Sequence, residues 1–141
     1  LTRMNAKARP TRYQSPRHYI AANFASRSMR WTGIIVFLFL LWHLADLTWG
    51  VEFVNPDFER GLAYANLVAS FERPAVAVLY VVANIALGIH LFHGAWSMFQ
   101  SMGLNSPRYN SLRRWIAGSI AAAITIVNVS FPVSVQLGIV G

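Results

Sequence analysis

The sequence predicts an all-α protein, a bundle of three transmembrane helices preceded by a cytoplasmic or interfacial helix. Apolar residues make up 55% of its 141 residues and charged residues only 12%, which is about half the charged share of a soluble domain. The charges also fall in separate segments, and the uncharged runs between them are long enough to cross a bilayer. We therefore divide the chain into a basic segment, residues 1–30, and a three-helix membrane domain, residues 31–141.

The positions of the charges predict how the chain lies in the membrane. Of the twelve basic residues, seven precede the first apolar run and three lie between the second and the third. All five acidic residues lie between positions 46 and 72. Because Lys and Arg are enriched in cytoplasmic segments, we expect a cytoplasmic N-terminus and an external C-terminus. The same distribution accounts for the net charge of +7, so we expect membrane lipid, and not nucleic acid, around this protein.

Each helix can be assigned from its local sequence, in chain order. In the preceding helix, Ser15 can cap the first turn and Pro16 suits the first helical position. The first span covers about residues 31–50, the second about 74–100 and the third about 112–135. At 1.5 Å per residue the second span is roughly 40 Å long, which exceeds the hydrocarbon core, so it should tilt or protrude. Small residues on the third span predict a packing face: Gly118, Ser119, Ala122 and Ala123.

Three histidines lie inside the predicted spans, where an ionisable side chain is costly and usually functional. The second span contains GIHLFHGAW, residues 88–96, with His90 and His93 three residues apart in an uncharged run. Counted from the predicted cytoplasmic helix ends, His43 is about 18 Å deep, His90 roughly 14 Å and His93 roughly 9 Å. We therefore expect His43 and His90 near the bilayer centre, within about one helical turn of each other.

Neutral imidazole is a common metal ligand, so these histidines predict a bound redox metal. Gly94, one turn from His90, leaves space where a flat macrocycle could approach. Alternatively, the histidines bond to one another or to backbone carbonyls across the bundle. Asp46, three residues from His43, could orient that ring, relay a proton or meet headgroup water. The chain contains no Cys, so it cannot by itself supply an all-thiolate metal site.

Two segments resemble a known family: RSMRWTGIIVFLFLLWHLADLTWG, residues 27–50, and GIHLFHGAWSMFQSMGLN, residues 88–105. They closely resemble the membrane cytochrome b subunit of succinate dehydrogenase/fumarate reductase (respiratory complex II), in the form found in actinobacteria. The HxxHGxWSxFQ pattern that begins at His90 is fairly specific, and the resemblance covers nearly the whole chain from about Arg3. It implies a subunit of the bacterial plasma membrane that links the tricarboxylic acid cycle to the respiratory chain.

The family resemblance implies both a missing part and partner subunits. Members of that family carry five transmembrane helices in one subunit, and this chain resembles the last three. The chain begins without Met, so we expect the two-helix N-terminal part to be a separate chain or a segment left out of this one. The implied partners are a flavoprotein and an iron–sulfur subunit, which deliver electrons from succinate to a quinone, menaquinone by resemblance. The flavin site for succinate is not in this chain, which alone is not a complete enzyme.

The family resemblance also implies cofactor ligands. In two-haem members, one histidine from each of four helices ligates haem b. His43 matches the third-helix ligand and His90 the fourth-helix ligand, and each would take its partner from the missing half. His93 departs from the family pattern, and it could bond a haem propionate, bind quinone or serve another metal centre. An imidazole-ligated 2Fe–2S cluster is therefore the alternative to haem b.

The implied quinone site should lie near a membrane–water interface, where an aromatic ring and a hydrogen-bond donor can hold a flat headgroup. The cytoplasmic candidates are Arg27, Arg30, Trp96 and Ser97, and the outer candidates are Asp46 and Trp49. Each of these residues could instead be an ordinary interfacial anchor.

Two other functions remain open from the sequence. The first is a structural membrane anchor without a bound redox centre, in which the histidines only stabilise the bundle. The second is a transporter subunit with a proton path through His43, Asp46 and His90. Three helices without an evident inverted repeat fit the transporter poorly.

Overall fold

The computed structural model describes the backbone of residues 20–104 and 106–141, and the side chains of these residues from Ser28 onward. This part of the chain is helical and contains no β-strand. Three of its helices are long and apolar enough to cross a membrane, which confirms the predicted fold class. In chain order the elements are α1 (Ile20–Leu47), α2 (Ala63–Glu72), α3 (Pro74–Ser101), a 3-10 helix (Pro107–Tyr109) and α4 (Asn110–Gln136).

Helix α1 joins the predicted basic helix to the first span without a break. It already begins at Ile20 and continues for 28 residues; the predicted helix start at Ser15 lies outside the described residues. Helix α1 crosses residue 30 because no Pro or Gly interrupts it before Gly33. It ends at Leu47 rather than near residue 50, since Gly50 takes a left-handed φ of 60° and closes the helix as a C-terminal cap.

The acidic loop, residues 48–73 between α1 and α3, contains a helix that the sequence did not predict. Helix α2 (Ala63–Glu72) has only ten residues, and two of its four buried residues are the polar Asn66 and Ser70. The apolar periodicity that reveals an amphipathic helix is therefore interrupted on the buried face. Helix α2 packs against α1, α3 and α4 at the end of the bundle.

Helix α3 lies between α1 and α4 and is the most buried of the three spans. It begins with Pro74 at its first position, where the missing N–H costs nothing. It approaches α4 closely at Gly88, where a Cβ atom would collide with Thr125 Oγ1. The face of α4 that turns toward the bundle carries Ala117 and Ala121. The predicted small residues Ser119, Ala122 and Ala123 are exposed instead.

The two ends of the bundle differ in character. We call the end with Leu47, α2 and Pro74 the acidic end, and the end with Arg30, Ser101 and Asn110 the basic end. The main apolar cluster lies at the acidic end, where all four helices meet. Its fully packed members are Val68, Phe71, Val76, Tyr80 and Val135.

Candidate functional site: two imidazoles held by hydroxyl groups

Two interhelical contacts fix the register of α1 against α3. His43 of α1 meets Tyr80 of α3, and His90 of α3 meets Thr32 of α1. Tyr80 and His90 are ten residues apart on α3, which separates the two contacts by about 15 Å at 1.5 Å per residue. The expectation that His43 and His90 lie within one helical turn of each other is therefore wrong. His43 belongs to the acidic half of the bundle and His90 to the basic half.

The ring of His90 is oriented by Thr32. The Thr32 hydroxyl lies 2.7 Å from the Ser28 carbonyl oxygen and donates its proton there. The same hydroxyl oxygen lies 3.2 Å from His90 Nδ1, and it can only accept at that contact because its single proton is already used. Nδ1 of His90 therefore carries the proton, and the lone pair is on Nε2.

The ring of His43 is oriented in the same way by Tyr80. The Tyr80 hydroxyl donates to Asp46 Oδ2 at 2.7 Å and lies 3.4 Å from His43 Nδ1, at the long end of the hydrogen-bond range. Since the phenolic proton is directed to the carboxylate, His43 Nδ1 donates to the phenolic oxygen. The lone pair of His43 is therefore also on Nε2, the nitrogen that points away from the hydroxyl.

Asp46 is the centre of a buried polar cluster at the acidic end. Its side chain is fully buried, and Oδ2 accepts hydrogen bonds from Ser70 at 2.5 Å and from Tyr80 at 2.7 Å. Oδ1 accepts from Arg73 Nη2 at 3.3 Å, which forms an ion pair. The Asp46 backbone carbonyl accepts a further bond from Asn55. This one residue therefore connects α1 to the acidic loop, including its helix α2, and to α3.

The burial of Asp46 bears on its predicted roles. The carboxylate does not meet headgroup water or present itself to a quinone in this chain, because both oxygens are bonded inside the bundle. Asp46 is linked to His43 through the Tyr80 hydroxyl, so of its predicted roles the geometry favours orientation of His43. Trp49, the other outer quinone candidate, is 58% exposed at the same end.

The basic end carries the remaining site candidates. Trp96 packs its ring against Phe92, with centroids 5.9 Å apart, and is covered on one face by the Arg114 guanidinium, 4.4 Å from the ring centroid. Its indole nitrogen is buried and has no hydrogen-bond partner. His93 is half-buried, with its ring beside Phe92. Arg30 and Ser97 are exposed, and the side chain of Arg27 lies outside the described residues.

These histidines do not converge on one metal ion. In residues 20–104 and 106–141, no group of three or more His, Asp or Glu side chains is placed to hold a metal. Each half of the bundle instead offers one half-buried imidazole with a fixed Nδ1 and an available Nε2. Gly94 also has open space on its Cβ side, with no atom within 4 Å. This donor set fits a prosthetic group that would be held by a single imidazole Nε2 from each half of this chain.

Sequence reasoning did not single out the residues that orient the imidazoles. Thr32, Ser70, Arg73 and Tyr80 are ordinary polar residues in the sequence, and only the packing of α1, α2 and α3 brings them to the histidines and Asp46. One feature of the sequence could have drawn attention to Tyr80, because it is a polar residue within the uncharged stretch of α3. Its partner His43 lies 37 positions away, so the sequence does not show the contact itself.

Comparisons with known proteins identify the family of this chain and nothing finer. Comparison with curated proteins and comparison with solved structures each found no match. The family of succinate dehydrogenase/fumarate reductase transmembrane subunits matches residues 6–128, most of the chain and all of α1, α2 and α3. The chain therefore belongs to the succinate dehydrogenase/fumarate reductase transmembrane subunit family.

Proposed function

We propose that this chain is the part of a complex II membrane anchor that passes electrons from an iron–sulfur subunit, through histidine-ligated centres, to a quinone. The observation that carries the proposal is the matched pair of imidazoles, His43 and His90. Each has Nδ1 hydrogen-bonded to a hydroxyl whose own proton is used elsewhere. Such an outer hydrogen bond is what fixes the orientation and tautomer of a histidine that ligates a metal.

The separation of the two histidines supports two centres rather than one. A level difference of about 15 Å is too large for His43 and His90 to ligate the same iron. His90 would hold a haem b in the basic half and His43 a second haem b in the acidic half. Each haem would take one imidazole from this chain, and we assign its remaining protein ligand to another part of the complex. Bound haem would supply reversible one-electron transfer at each of these two histidines.

The quinone-reducing site is assigned to the basic end. The antiparallel register puts Arg27 and Arg30 of α1 near the level of Trp96 and His93 of α3. Arg30 and Ser97 are exposed and can donate hydrogen bonds to a headgroup, whereas the indole N–H of Trp96, which has no hydrogen-bond partner among the described residues, is buried. His93, one turn nearer this end than His90, is assigned to a haem propionate or to the quinone. We assign menaquinone as the quinone, following the resemblance of the sequence to the actinobacterial form of the family.

The partners follow from the basic charges and the family. The iron–sulfur subunit would dock on the cytoplasmic side, which we assign to the basic end, and the flavoprotein would bind to the iron–sulfur subunit. Electrons from succinate would then enter the membrane next to His90. This chain contributes ligands, quinone contacts and the membrane anchor, while the oxidation of succinate takes place in the flavoprotein.

A difference spectrum of the purified complex, dithionite-reduced minus oxidised, with haem and iron quantified, tests this function. We expect b-type bands and two haems per complex, with one lost in His90→Ala and the other in His43→Ala. His90→Ala should also abolish quinone reduction and leave succinate oxidation by soluble acceptors intact. Iron in excess of the soluble subunits without a haem band would favour a membrane 2Fe–2S cluster. No chromophore beyond the soluble subunits would leave only a structural anchor.

A further inference from the structure

The side chain of Tyr80 is held in place by packing as well as by hydrogen bonds. Its side chain is 3% exposed and lies between Phe39 and Phe71, with ring centroids 5.0 Å and 4.8 Å away in edge-to-face geometry. These contacts oppose rotation of the ring away from His43. The hydroxyl is therefore fixed at the point where the imidazole of α1 and the carboxylate of Asp46 meet.

The hydrogen bonds that join His43, Tyr80 and Asp46 all donate in one direction, from the imidazole toward the carboxylate. His43 Nδ1–H donates to the Tyr80 oxygen, and Tyr80 O–H donates to Asp46 Oδ2. The chain of bonds thus ends on an anionic carboxylate, which polarises the phenol and, through it, the imidazole. The corresponding chain from His90 passes through Thr32 to the neutral carbonyl of Ser28. The two imidazoles consequently have the same tautomer and different electrostatic surroundings.

The Asp46 charge is only partly compensated. Arg73 lies 3.3 Å from Oδ1, but its guanidinium also bonds the Val54 carbonyl at 2.5 Å and the Ser70 hydroxyl at 3.2 Å. Arg73 is partly exposed, with 33% of its side-chain surface accessible, so solvent screens its field more than that of the fully buried carboxylate. The Oδ2 that faces Tyr80 therefore keeps the stronger acceptor character.

We propose that Tyr80, acting with Asp46, is a positioning residue that fixes the ring of His43 and strengthens the electron donation of its Nε2 toward the acidic-end centre. This inference rests on the proposed function, in which His43 ligates that centre. A more strongly donating imidazole would stabilise the oxidised state of a bound haem relative to the reduced state. Tyr80 therefore lowers the reduction potential of the acidic-end centre and has no contact through which to affect the centre at His90.

The test is a redox titration of the assembled complex with the substitution Tyr80→Phe. Phenylalanine keeps the packing against Phe39 and Phe71 and removes only the hydroxyl, while Ser70 and Arg73 still bond to Asp46. We expect both haems to be retained, the potential of the acidic-end haem to rise and that of the basic-end haem to stay unchanged. The acidic-end haem is identified as the one that His43→Ala removes. Tyr64→Phe, at an exposed tyrosine of α2, is the matched control and should shift neither potential.

Each outcome of the titration separates this inference from the function on which it rests. If His43→Ala removes a haem and Tyr80→Phe shifts neither potential, the role of Tyr80 is refuted and the ligand assignment stands. If His43→Ala removes no haem, the proposed function fails and the inference fails with it. Where Tyr80→Phe loses the acidic-end haem, the potential is measured in Asp46→Asn. An upward shift of the same haem there supports the proposal, and an unchanged potential overturns it.

Discussion

Asp46 and Arg73 form an ion pair between residues 27 positions apart, with Oδ1 3.3 Å from Nη2. Asp46 lies near the C-terminal end of α1, and Arg73 is the single residue between α2 and α3. The backbone of Arg73 is extended, and its guanidinium also donates to the Val54 carbonyl. The pair therefore joins the end of α1 to the start of α3 at the acidic end of the bundle.

We expect Asp46→Ala to destabilise the bundle strongly. The substitution leaves Arg73, Ser70 and Tyr80 without their shared acceptor. Removing one partner of a fully buried ion pair costs roughly 3–5 kcal/mol. The partial exposure of Arg73 reduces the expected loss to about 2–3 kcal/mol. Thermal unfolding in detergent measures the change, and Glu72→Ala, at a neighbouring exposed acid, is the control. Equal melting temperatures for the two variants would show that the cluster contributes no net stability.

A side chain at Gly88 should destabilise the packing of α3 against α4 while Thr125 is present. A Cβ at Gly88 would collide with Thr125 Oγ1, and that hydroxyl is held by its bond to the Ala121 carbonyl at 2.8 Å. Gly88→Ala should therefore separate α3 from α4 and cost about 1–3 kcal/mol. Adding Thr125→Ala should recover most of the loss, which a double-mutant cycle of unfolding free energies detects. Strictly additive effects would contradict close approach at this position.

Thr32→Val should weaken the basic-end centre without changing the fold. Valine has nearly the shape of threonine but cannot accept the His90 Nδ1 proton, so the imidazole loses its orienting partner. Removing such a partner lowers the affinity for a ligated metal by roughly 10- to 100-fold. Haem retained per complex after repeated detergent washing is the readout. Thr48→Val, at an exposed threonine, should retain haem as the wild type does; equal retention in Thr32→Val would show that Thr32 does not support the ligand.

The orientation of the bundle can be tested directly because the chain has no native Cys. We place Glu52→Cys in the acidic loop and Met102→Cys beyond α3, both at exposed positions at opposite ends. A membrane-impermeant maleimide should label Glu52→Cys in intact cells or spheroplasts and Met102→Cys only after lysis. The reverse pattern would place the basic end outside and would remove the proposed docking side of the iron–sulfur subunit.

The three spans were predictable because an uncharged apolar run of about 20 residues has few alternatives to a membrane helix. The second span, predicted over 74–100, occupies Pro74–Ser101, since Pro74 suits the first helical position and Gly103, with a left-handed φ of 76°, follows its end. Helix α2 was missed because its buried face is partly polar, and its polar residues are bonded to Glu59 and Asp46. Asn66 bonds the backbone of Glu59 seven positions away, and Ser70 bonds Asp46 24 positions away, so an apolar periodicity contains no trace of either contact.

The sequence by itself determined that His43 and His90 lie within a membrane bundle and belong to a known family, because hydrophobicity and a histidine motif are local properties of the chain. Only the tertiary structure decided the level of each imidazole and which nitrogen it offers. Helix ends counted from the sequence misplaced His43 relative to His90, whereas the antiparallel register of α1 and α3 separates them by about 15 Å. The hydroxyls of Thr32 and Tyr80 meet their histidines 58 and 37 positions away, and such pairings arise from the packing of whole helices.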